Sequence, residues 1–392
     1  MNKSVRIVFA LVIAFLAAGS LSASPFIFEA MRFPSARVDA LGGLHAALSD
    51  DISVLQSNPA GFRTAGPQFS VAELTTNLKG PIFSIADMIL RVVQGASLTS
   101  LLTDPDIQKL LTSLNAGVTI NGPLALGYIG EGLGFGFFNS TGADFSTQGT
   151  VPTVTTEIKE DLLFVAGYGF RIALPEKLNS TLDVGFSVKT FTRAQIQWTE
   201  SILSLFSTIS SPGSLLNQPF NLDVGFGLDA GALYSWNNLI SVGLALRDLY
   251  SPVLRNAYSS VSAFTSGAAS TVSYGIVPLD VALGLLYTPR LGFLDAYMSN
   301  LKLMLDYRDI FDFWTHPATA SNPLLHFGLG AEVTLLDVLA VRAGFGGGYF
   351  SAGLGMNLTA FHLDLTMFGR ELSSEPGLRP QFNLIVSTLF RY

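Results

Sequence analysis

Apolar and polar residues alternate with a period of two in many short stretches of this chain. In residues 220–231 one set of alternate positions is apolar, and the other set carries Asn, Asp and Gly. The same division recurs in residues 279–287, 301–308 and 361–368. A period of two indicates β-strands with one apolar and one polar face. Because the polar set is mostly Gly, Asp, Lys and Ser, the pattern favours a barrel with lipid outside and a wet lumen over a soluble sandwich.

Fourteen strands are predicted from this pattern, and their connections alternate between short and long, except that the connection at 346–348 is short where a long one is expected. The predicted strands are residues 68–77, 116–127, 132–141, 160–173, 180–194, 220–234, 239–247, 277–288, 299–308, 323–335, 338–345, 349–358, 360–368 and 380–392. Long connections are predicted at 78–115, 142–159, 195–219, 248–276, 309–322 and 369–379. Short periplasmic turns, long outer loops and an even strand number are typical of outer-membrane barrels. The sequence therefore predicts an all-β fold, a transmembrane antiparallel β-barrel of about 14 strands.

Composition agrees with a membrane barrel and excludes several other classes. Charged residues make up 13% of the 392 residues, whereas soluble domains average about 25%. The mean hydropathy of +0.44 is too high for a disordered chain. A formal net charge of −7 argues against a nucleic-acid partner. The absence of cysteine excludes disulfides, thiolate metal sites and a lipoprotein anchor. The four histidines are far apart in sequence, so no catalytic residue, metal or cofactor is predicted.

The first 23 residues have the pattern of a secretory signal peptide. Lys3 and Arg6 precede an apolar stretch at residues 7–18, and small residues follow it. A membrane anchor is the weaker alternative, because this stretch is shorter than the ~20 residues that a spanning helix needs. Cleavage near residue 23 would leave a mature protein in the outer membrane of a diderm bacterium, in contact with its lipid.

Residues 24–66 do not alternate and are predicted to form a separate N-terminal unit. Residues 36–49 are small and apolar enough for a helix that ends at Asp50 and Asp51. Asn58, Pro59, Ala60 and Gly61 predict a turn, in which proline fixes φ and glycine can adopt a left-handed conformation.

The sequence ARVDALGGLHAALSDD, followed by SNPAGF, resembles the hatch of the FadL family of outer-membrane transporters of long-chain fatty acids and aromatic hydrocarbons. The resemblance implies that residues 24–66 form a hatch inside a 14-stranded barrel of residues 67–392. It also implies that Asn58, Pro59, Ala60 and Gly61 take part in gating. FadL-like barrels associated with secretion share this motif, so the resemblance bears on the fold more than on the substrate.

Candidate ligand-binding residues come from the third outer loop and the strand that leads into it. Leu203, Phe206 and Ile209 are spaced three apart and can share one helix face. The resemblance implies that such a loop captures a hydrophobic ligand. Alternatively, the loop packs onto residues 248–276 or the barrel rim. Lys189 and Arg193 could bind a fatty carboxylate or could form ion pairs in the lumen.

The leading functional prediction is passive uptake of a hydrophobic molecule, most of all a long-chain fatty acid, with no enzymatic activity. One alternative is a secretion or assembly platform that binds a protein partner at the extracellular loops. The other is a general diffusion porin, which a plug disfavours. Loop 78–115 is long and apolar, and the sequence assigns it no role.

Overall fold

The structure, a computed structural model, describes residues 25–95, 104, 105, 108, 114–148, 153–201, 204, 208, 212–290, 292, 298–315, 320–358 and 360–391. Its strands are β1 Phe26–Ile27, β2 Gln68–Lys79, β3 Asn115–Asn121, β4 Leu126–Gly130, β5 Leu133–Gln148, β6 Thr153–Ile172, β7 Ser180–Ser201, β8 Phe220–Trp236, β9 Ile240–Tyr250, β10 Pro252–Tyr258, β11 Thr271–Ile276, β12 Asp280–Tyr287, β13 Met298–Tyr307, β14 Phe327–Leu335, β15 Leu339–Gly346, β16 Tyr349–Leu358, β17 Phe361–Glu371 and β18 Pro380–Arg391.

These strands form one antiparallel sheet that closes where β18 pairs with β2. Three wall strands are each interrupted, between β3 and β4, β9 and β10, and β11 and β12. The short β1 lies outside the ring order and pairs in parallel with β11. The ring therefore has 14 strands, which confirms the predicted fold class and strand number.

The two faces of the wall differ as the alternation predicts. On β13, Leu303 and Leu305 are 42% and 41% exposed on the outer face, whereas Asp306 is 1% exposed. Leu283 and Leu285 on β12 repeat this arrangement opposite β13. Apolar side chains therefore form the outer surface, and polar side chains face the interior of the barrel.

We call the two rims of the barrel the turn end and the loop end. The turn end carries the connections 131–132, 173–179, 237–239, 288–297, 336–338 and 359–360. The loop end carries 80–114, 149–152, 202–219, 259–270, 308–326, 347–348 and 372–379. The prediction of a long connection at 142–159 is wrong, because β5 and β6 stay paired to Gln148 and Thr153. In this region the alternation of apolar residues ends before the pairing of the backbones does. Beyond that point the sheet continues with polar contacts, such as the 2.9 Å hydrogen bond between the hydroxyls of Thr155 and Thr199.

The same explanation applies to residues 248–276, another predicted long loop. There β10 and β11 pair with one another, and only residues 259–270 connect them. The described helices are α1 Ala36–Ala40, α2 Val54–Ser57, α3 Ile82–Val93, α4 Val261–Thr265 and α5 Asp312–Thr315, with 3₁₀ helices at Pro59–Arg63, Glu176–Leu178, Pro212–Asn217 and Pro323–His326. Within the described ranges, no helix combines the length and the apolar character needed to cross a bilayer.

Residues 25–67, here called the N-terminal segment, contact strands on several sides of the ring. Helix α1 packs against β15–β18, and the 3₁₀ helix Pro59–Arg63 packs against β4–β8. The prediction of a helix through residue 49 is wrong, since α1 ends at Ala40. Gly42 and Gly43 have φ of 83° and 119°, and the N–H of Gly43 donates to the carbonyl of Val38 at 2.9 Å. This glycine-based cap ends the helix.

Candidate functional site

Glycines on the inner face of the wall form the surface against which the N-terminal segment packs. A Cβ at Gly231 would overlap Asn58 Oδ1, and one at Gly185 would overlap the carbonyl of Pro59. A Cβ at Gly243 would overlap the carbonyl of Ala46. The alternation predicts that inward-facing glycines border a water-filled lumen. At these three positions that prediction is wrong, because the N-terminal segment packs directly on the glycines. They allow the backbone of the segment to approach the backbone of the wall.

Asn58 is the central contact of this docking. Its Oδ1 accepts a 3.0 Å hydrogen bond from the N–H of Ala60, and its Nδ2 donates to the carbonyl of Ala46 at 2.7 Å. Pro59 begins the 3₁₀ helix, where its fixed φ and missing N–H are tolerated. Gly61 is not left-handed, contrary to expectation; its small size matters because a Cβ would lie 2.7 Å from Val54 Cγ1. The predicted gating residues are thus buried together between segment and wall.

Arg37 links the two acidic residues of the motif to the wall. Its guanidinium donates to Asp50 Oδ1 at 2.8 Å and to Asp51 Oδ2 at 2.6 Å. It also donates to both carboxylate oxygens of Glu332 on β14, at 2.6 and 2.8 Å. Lys302 on β13 donates to Asp50 at 2.5 Å. The motif therefore places one arginine between two acids of its own segment and a third acid of the wall.

Two carboxyl groups of the segment titrate abnormally. Burial would raise the pKa of Asp50, but the charges of Arg37 and Lys302 outweigh burial and hold that pKa below its usual range. Burial raises the pKa of Asp39 to about 6, against the lowering effect of the Ser35 N–H bond and of the charges of Arg370, Arg32 and Arg308. Asp50 is therefore ionised at any physiological pH, whereas Asp39 takes up a proton under mildly acidic conditions.

Lys189 and Arg193, the predicted carboxylate-binding residues, are both paired. Lys189 Nζ lies 2.9 Å from carboxylate oxygens of Asp229 and of Asp248. Arg193 donates to both oxygens of Asp161 at 2.7 and 2.8 Å, and its guanidinium lies 4.8 Å above the Phe28 ring. These geometries match the alternative interpretation of lumen ion pairs. A ligand carboxylate would have to compete with buried acidic residues at both positions.

Three other arginines lie close together without such partners, and we call them the arginine cluster. Arg32, Arg308 and Arg370 all act on the charge of Asp39, and Arg32 acts on the other two. Among the described residues, no carboxylate comes within ion-pair distance of any of them. Arg308 donates to the carbonyl of Gly42 at 3.3 Å, and Arg370 Nε is buried without a hydrogen-bond partner. The cluster thus has unused donors and an excess of positive charge.

An apolar cluster includes the two residues that flank Arg32 in the chain. It joins side chains of the N-terminal segment to side chains of the wall: Phe28, Val54, Leu55, Phe62 and Ala65 with Ala125, Ile129, Phe138, Leu163, Val165, Phe191, Val253 and Val277. Met31 and Phe33 also pack against it, and Arg32 stands between them in the chain. The structure therefore places the backbone of Arg32, one member of the arginine cluster, between two side chains that pack on apolar surface.

The predicted capture residues Leu203, Phe206 and Ile209 lie outside the described residues. The described part of that connection packs against residues 259–270: Ser262 Oγ donates to the carbonyl of Leu216 at 3.0 Å. The rings of Phe220 and Phe264 are 4.7 Å apart. This part of the loop therefore follows the alternative in which it packs onto its neighbour.

One group of side chains at the loop end has the donors of a divalent-cation site. Ligand atoms of Asp309, Asp312 and His326 all lie within 4.8 Å of one another. Nitrogen and carboxylate donors of this kind bind transition metals. His326 Nε2 is 3.2 Å from Asp312 Oδ2. Sequence spacing does not predict it, because folding of the 308–326 connection brings its two ends together.

Solved structures with a similar fold include hydrocarbon channels. A TodX deltaS2S3 mutant, a monoaromatic hydrocarbon channel, aligns with 92% of this chain and 98% of its own at 12% identity and a TM-score of 0.50. This chain has the fold of a FadL-type channel. The toluene transporter TodX of Pseudomonas putida is 15% identical over 94% of this chain and 100% of its own (TM-score 0.48). A FadL homologue of Pseudomonas aeruginosa is 12% identical over 94% of this chain and 99% of its own (TM-score 0.43). No protein-family model and no curated protein matches the chain.

In this FadL-type barrel the arginine cluster is the group that sequence analysis missed. Its members lie far apart, at the start of the N-terminal segment and beside β13 and on β17. Strand register offered a partial signal, because most other inward-facing arginines have an acid directly opposite on the next strand, as Arg193 has Asp161. Arg370 instead faces Gln381 on β18. An inward-facing arginine with no acidic residue opposite it on the neighbouring strand is therefore the pattern that indicates the arginine cluster.

Proposed function

We propose that this protein is a plugged outer-membrane channel for passive uptake of hydrophobic molecules, with long-chain fatty acids as its preferred substrates. Residues 1–23 are the signal peptide in this proposal, residues 24–66 the hatch and residues 67–392 the wall. The loop end faces the outside of the cell and the turn end faces the periplasm, because outer-membrane barrels distribute long and short connections in this way.

The observation that carries the proposal is the arginine cluster, one member of which stands in the chain between two residues that pack on the apolar cluster. A fatty acid has one carboxylate and a long apolar chain, so it needs both kinds of surface at once. Guanidinium groups bind carboxylates through charge-assisted hydrogen bonds. Because Met31 and Phe33 flank Arg32 and pack on the apolar cluster, a carboxylate at Arg32 leads its chain directly onto apolar side chains.

The proposed route begins at the outer loops, where Leu203, Phe206 and Ile209 capture the ligand. The ligand then reaches the arginine cluster, which replaces Lys189 and Arg193 as the carboxylate-binding position, since those two are already paired. Release follows a shift of the hatch around Asn58, Pro59, Ala60 and Gly61. A neutral aromatic hydrocarbon is the second candidate substrate, because the apolar cluster alone would serve it.

The decisive experiment compares oleate with methyl oleate, which has the same chain without the charge. Labelled ligand is bound to the purified barrel in detergent, with folding checked by heat-modifiable gel mobility. We expect Arg308→Gln and Arg370→Gln each to weaken oleate binding about tenfold, the effect of one charge-assisted hydrogen bond, and to leave methyl oleate binding unchanged. Arg379→Gln, at the exposed loop end, is the matched control and should behave as the parent.

Other outcomes point to the alternatives. Equal binding of both ligands that neither arginine variant alters would favour a channel for neutral hydrocarbons. A parent protein that binds neither ligand would contradict uptake of hydrophobic molecules and favour a platform for a protein partner.

A further inference from the structure

Three polar side chains of strands β2 and β3 face the interior of the barrel with hydrogen-bonding atoms left over. They are Asn77, Thr119 and Asn121, which are 4%, 5% and 4% exposed. Ile120, between the last two, is 39% exposed on the outer face, so Thr119 and Asn121 point inward. Within the part of the chain that the structure describes, Asn77 Oδ1, Thr119 Oγ1 and Asn121 Oδ1 are buried without a hydrogen-bond partner. We call these three residues the polar patch.

The members of the polar patch are neighbours in the sheet. Asn77 and Thr119 stand directly opposite one another in the register of β2 and β3, and Asn121 is the next residue on the same face of β3. Opposite side chains of an antiparallel pair have Cβ atoms about 5 Å apart. The three unpaired oxygens therefore belong to one small area of the inner wall.

The N-terminal segment decides which atom of the Asn121 amide is left over. Asn121 Nδ2 donates a 2.6 Å hydrogen bond to the carbonyl of Pro34, so the nitrogen is used and the oxygen is not. The two asparagine oxygens can only accept hydrogen bonds, whereas the hydroxyl of Thr119 can both donate and accept. The polar patch therefore has more acceptors than donors and lacks a hydrogen-bond donor.

Unpaired oxygens at buried positions are unfavourable, because they lose water and gain no partner. Native structures therefore pair nearly all such atoms. Ile385 on β18, directly opposite Asn77 in the register, is fully buried on the same inner face. An apolar side chain thus fits this part of the wall. The polar side chains of the patch accordingly indicate a hydrogen-bonding group that comes from outside the chain.

The charges nearest the polar patch are balanced, which favours a neutral donor. A Cβ at Gly142 would lie 3.6 Å from Thr119 Oγ1 and 3.5 Å from Lys159 Cε, so Lys159 is close to the patch. Its Nζ lies 3.0 Å from Glu157. Lys79, two residues from Asn77 on β2, has its Nζ 2.7 Å from Asp144. A neutral hydroxyl fits these surroundings better than an ammonium group does.

Apolar side chains border the polar patch. Ser140 on β5 stands opposite Asn121 in the register, and Phe138 is the next residue on the same face of β5. Phe138 belongs to the apolar cluster, and its ring lies 5.9 Å from the ring of Phe33. A ligand that satisfies both surfaces has an apolar body and at least one hydrogen-bond donor.

We propose that the ligand of this channel carries a hydroxyl group on an apolar body, and that Asn77, Thr119 and Asn121 bind that hydroxyl. The hydroxyl donates to an asparagine oxygen and accepts from the hydroxyl of Thr119. This inference rests on the proposed function, uptake of hydrophobic molecules, and narrows its substrate class. A hydroxylated fatty acid and a phenol both have this chemistry.

The sheet register indicates where the hydroxyl lies in a fatty acid. Arg370 of the arginine cluster faces Gln381 on β18, and Asn77 faces Ile385, four residues further along that strand. Two strand spacings and four residues along a strand correspond to roughly 15 Å. A carboxylate at Arg370 therefore places the hydroxyl well along the acyl chain. Ricinoleate, which is oleate with one added hydroxyl beyond the middle of its chain, has this form.

Two pairs of ligands that differ by one hydroxyl test the inference. Ricinoleate is compared with oleate, and p-cresol with toluene, by equilibrium binding to the purified full-length barrel in detergent. We expect the parent to bind the hydroxylated member of at least one pair about tenfold more tightly, the effect of two ordinary hydrogen bonds. The pair that shows the preference identifies the source of the hydroxyl as a fatty acid or a phenol.

Substitutions of similar size remove the polar atoms. Thr119→Val and Asn77→Leu should each bring the affinity ratio within that pair close to one, and leave oleate and toluene binding unchanged. Either variant alone suffices if the other fails the heat-modifiability check of folding. Thr190→Val, on the exposed outer face of β7, is the matched control and should keep the parent ratio.

Two results would overturn the inference. Equal affinities within both pairs in the parent would mean that the unpaired oxygens bind water only. A preference for the hydroxylated ligand that survives in folded Thr119→Val and Asn77→Leu proteins would place the hydroxyl elsewhere.

The same measurements separate this inference from the proposed function. A parent that binds oleate and ricinoleate equally, and toluene and p-cresol equally, contradicts the inference and supports uptake of hydrophobic molecules. A parent that prefers p-cresol to toluene and binds neither fatty acid supports the inference and contradicts long-chain fatty acids as substrates. A parent that binds none of the four ligands contradicts both.

Discussion

The wall and the N-terminal segment inside it satisfy their polar groups in opposite ways. Adjacent wall strands pair with one another along their length, as β6 does with β7 over twenty residue pairs from Thr153 to Ile172. The segment has only short helices, and several of its carbonyls accept hydrogen bonds from wall side chains. Thr366 Oγ1 donates to the carbonyl of Ala36 at 2.7 Å, and Ser351 Oγ donates to that of Ala40 at 2.8 Å. The backbone of the wall thus finds its hydrogen-bond partners within the wall, whereas the backbone of the segment also needs side chains of the wall.

Because of this difference, the N-terminal segment can change without loss of the barrel fold. Removing a contact between segment and wall leaves the ring of strand pairs intact, because none of the 14 wall strands needs the segment as a pairing partner. The single exception at the backbone is β1, which pairs with the edge of β11. Changes in the segment should therefore alter conductance and ligand access much more than they alter barrel stability.

The largest expected effect comes from removing the segment. Deletion of residues 26–60 should convert a closed channel with occasional openings into one that conducts continuously in planar bilayers, because the apolar and ionic contacts across the lumen are lost. Heat-modifiable gel mobility should persist, since closure by β18 and β2 remains. Unchanged conductance in a folded deletion protein would contradict the role of these residues as a plug.

A single glycine should give an intermediate effect. Gly231→Ala places a Cβ against Asn58 Oδ1, so the segment must shift, and overpacking of this kind typically costs about 1–3 kcal/mol. We expect openings to become roughly tenfold more frequent. Gly142→Ala is the matched control, because its Cβ would meet only Lys159 and Thr119 side chains at 3.5 Å or more. Equal opening frequencies in the two variants would mean that the glycine surface does not hold the segment.

Much of the wall could be predicted from sequence because its signal is local. Alternation over about ten residues identifies a strand, and all 14 predicted strands overlap observed ones. The predicted strand ends are wrong where the backbone stays paired beyond the end of the apolar–polar alternation. β5 to β7 continue beyond the apolar band with polar residues on both faces, so their outer parts resemble loops in sequence. The interruption at Ser251 between β9 and β10 has no clear hydropathy signal either.

The candidate site was less accessible to sequence reasoning because its contacts are distant in the chain. Asp50 and Asp51 were visible as the end of a motif, but their bonds to Arg37 and Lys302 depend on the folded segment. His45 was visible only as an isolated histidine in a small apolar stretch. Its partner Asp306 lies 261 residues later on an ordinary alternating strand, and nothing local distinguishes that aspartate.

The smallest expected effect concerns Asp39, whose burial raises its pKa to about 6. Because the pKa is raised in the docked state, the protonated form of Asp39 favours docking of the segment. Docking should therefore weaken as pH rises from about 4 to 6 and then stay constant. Asp39→Asn keeps an oxygen for the Ser35 N–H, removes this dependence and should make openings several-fold rarer at neutral pH. The gain is limited because the variant also removes an attraction to the arginine cluster. Opening frequency between pH 4 and 7 measures the effect. If Asp39→Asn instead opens more often at neutral pH, the attraction to the arginines outweighs the burial of the carboxylate, and Asp39 stabilises the docked segment in its charged form.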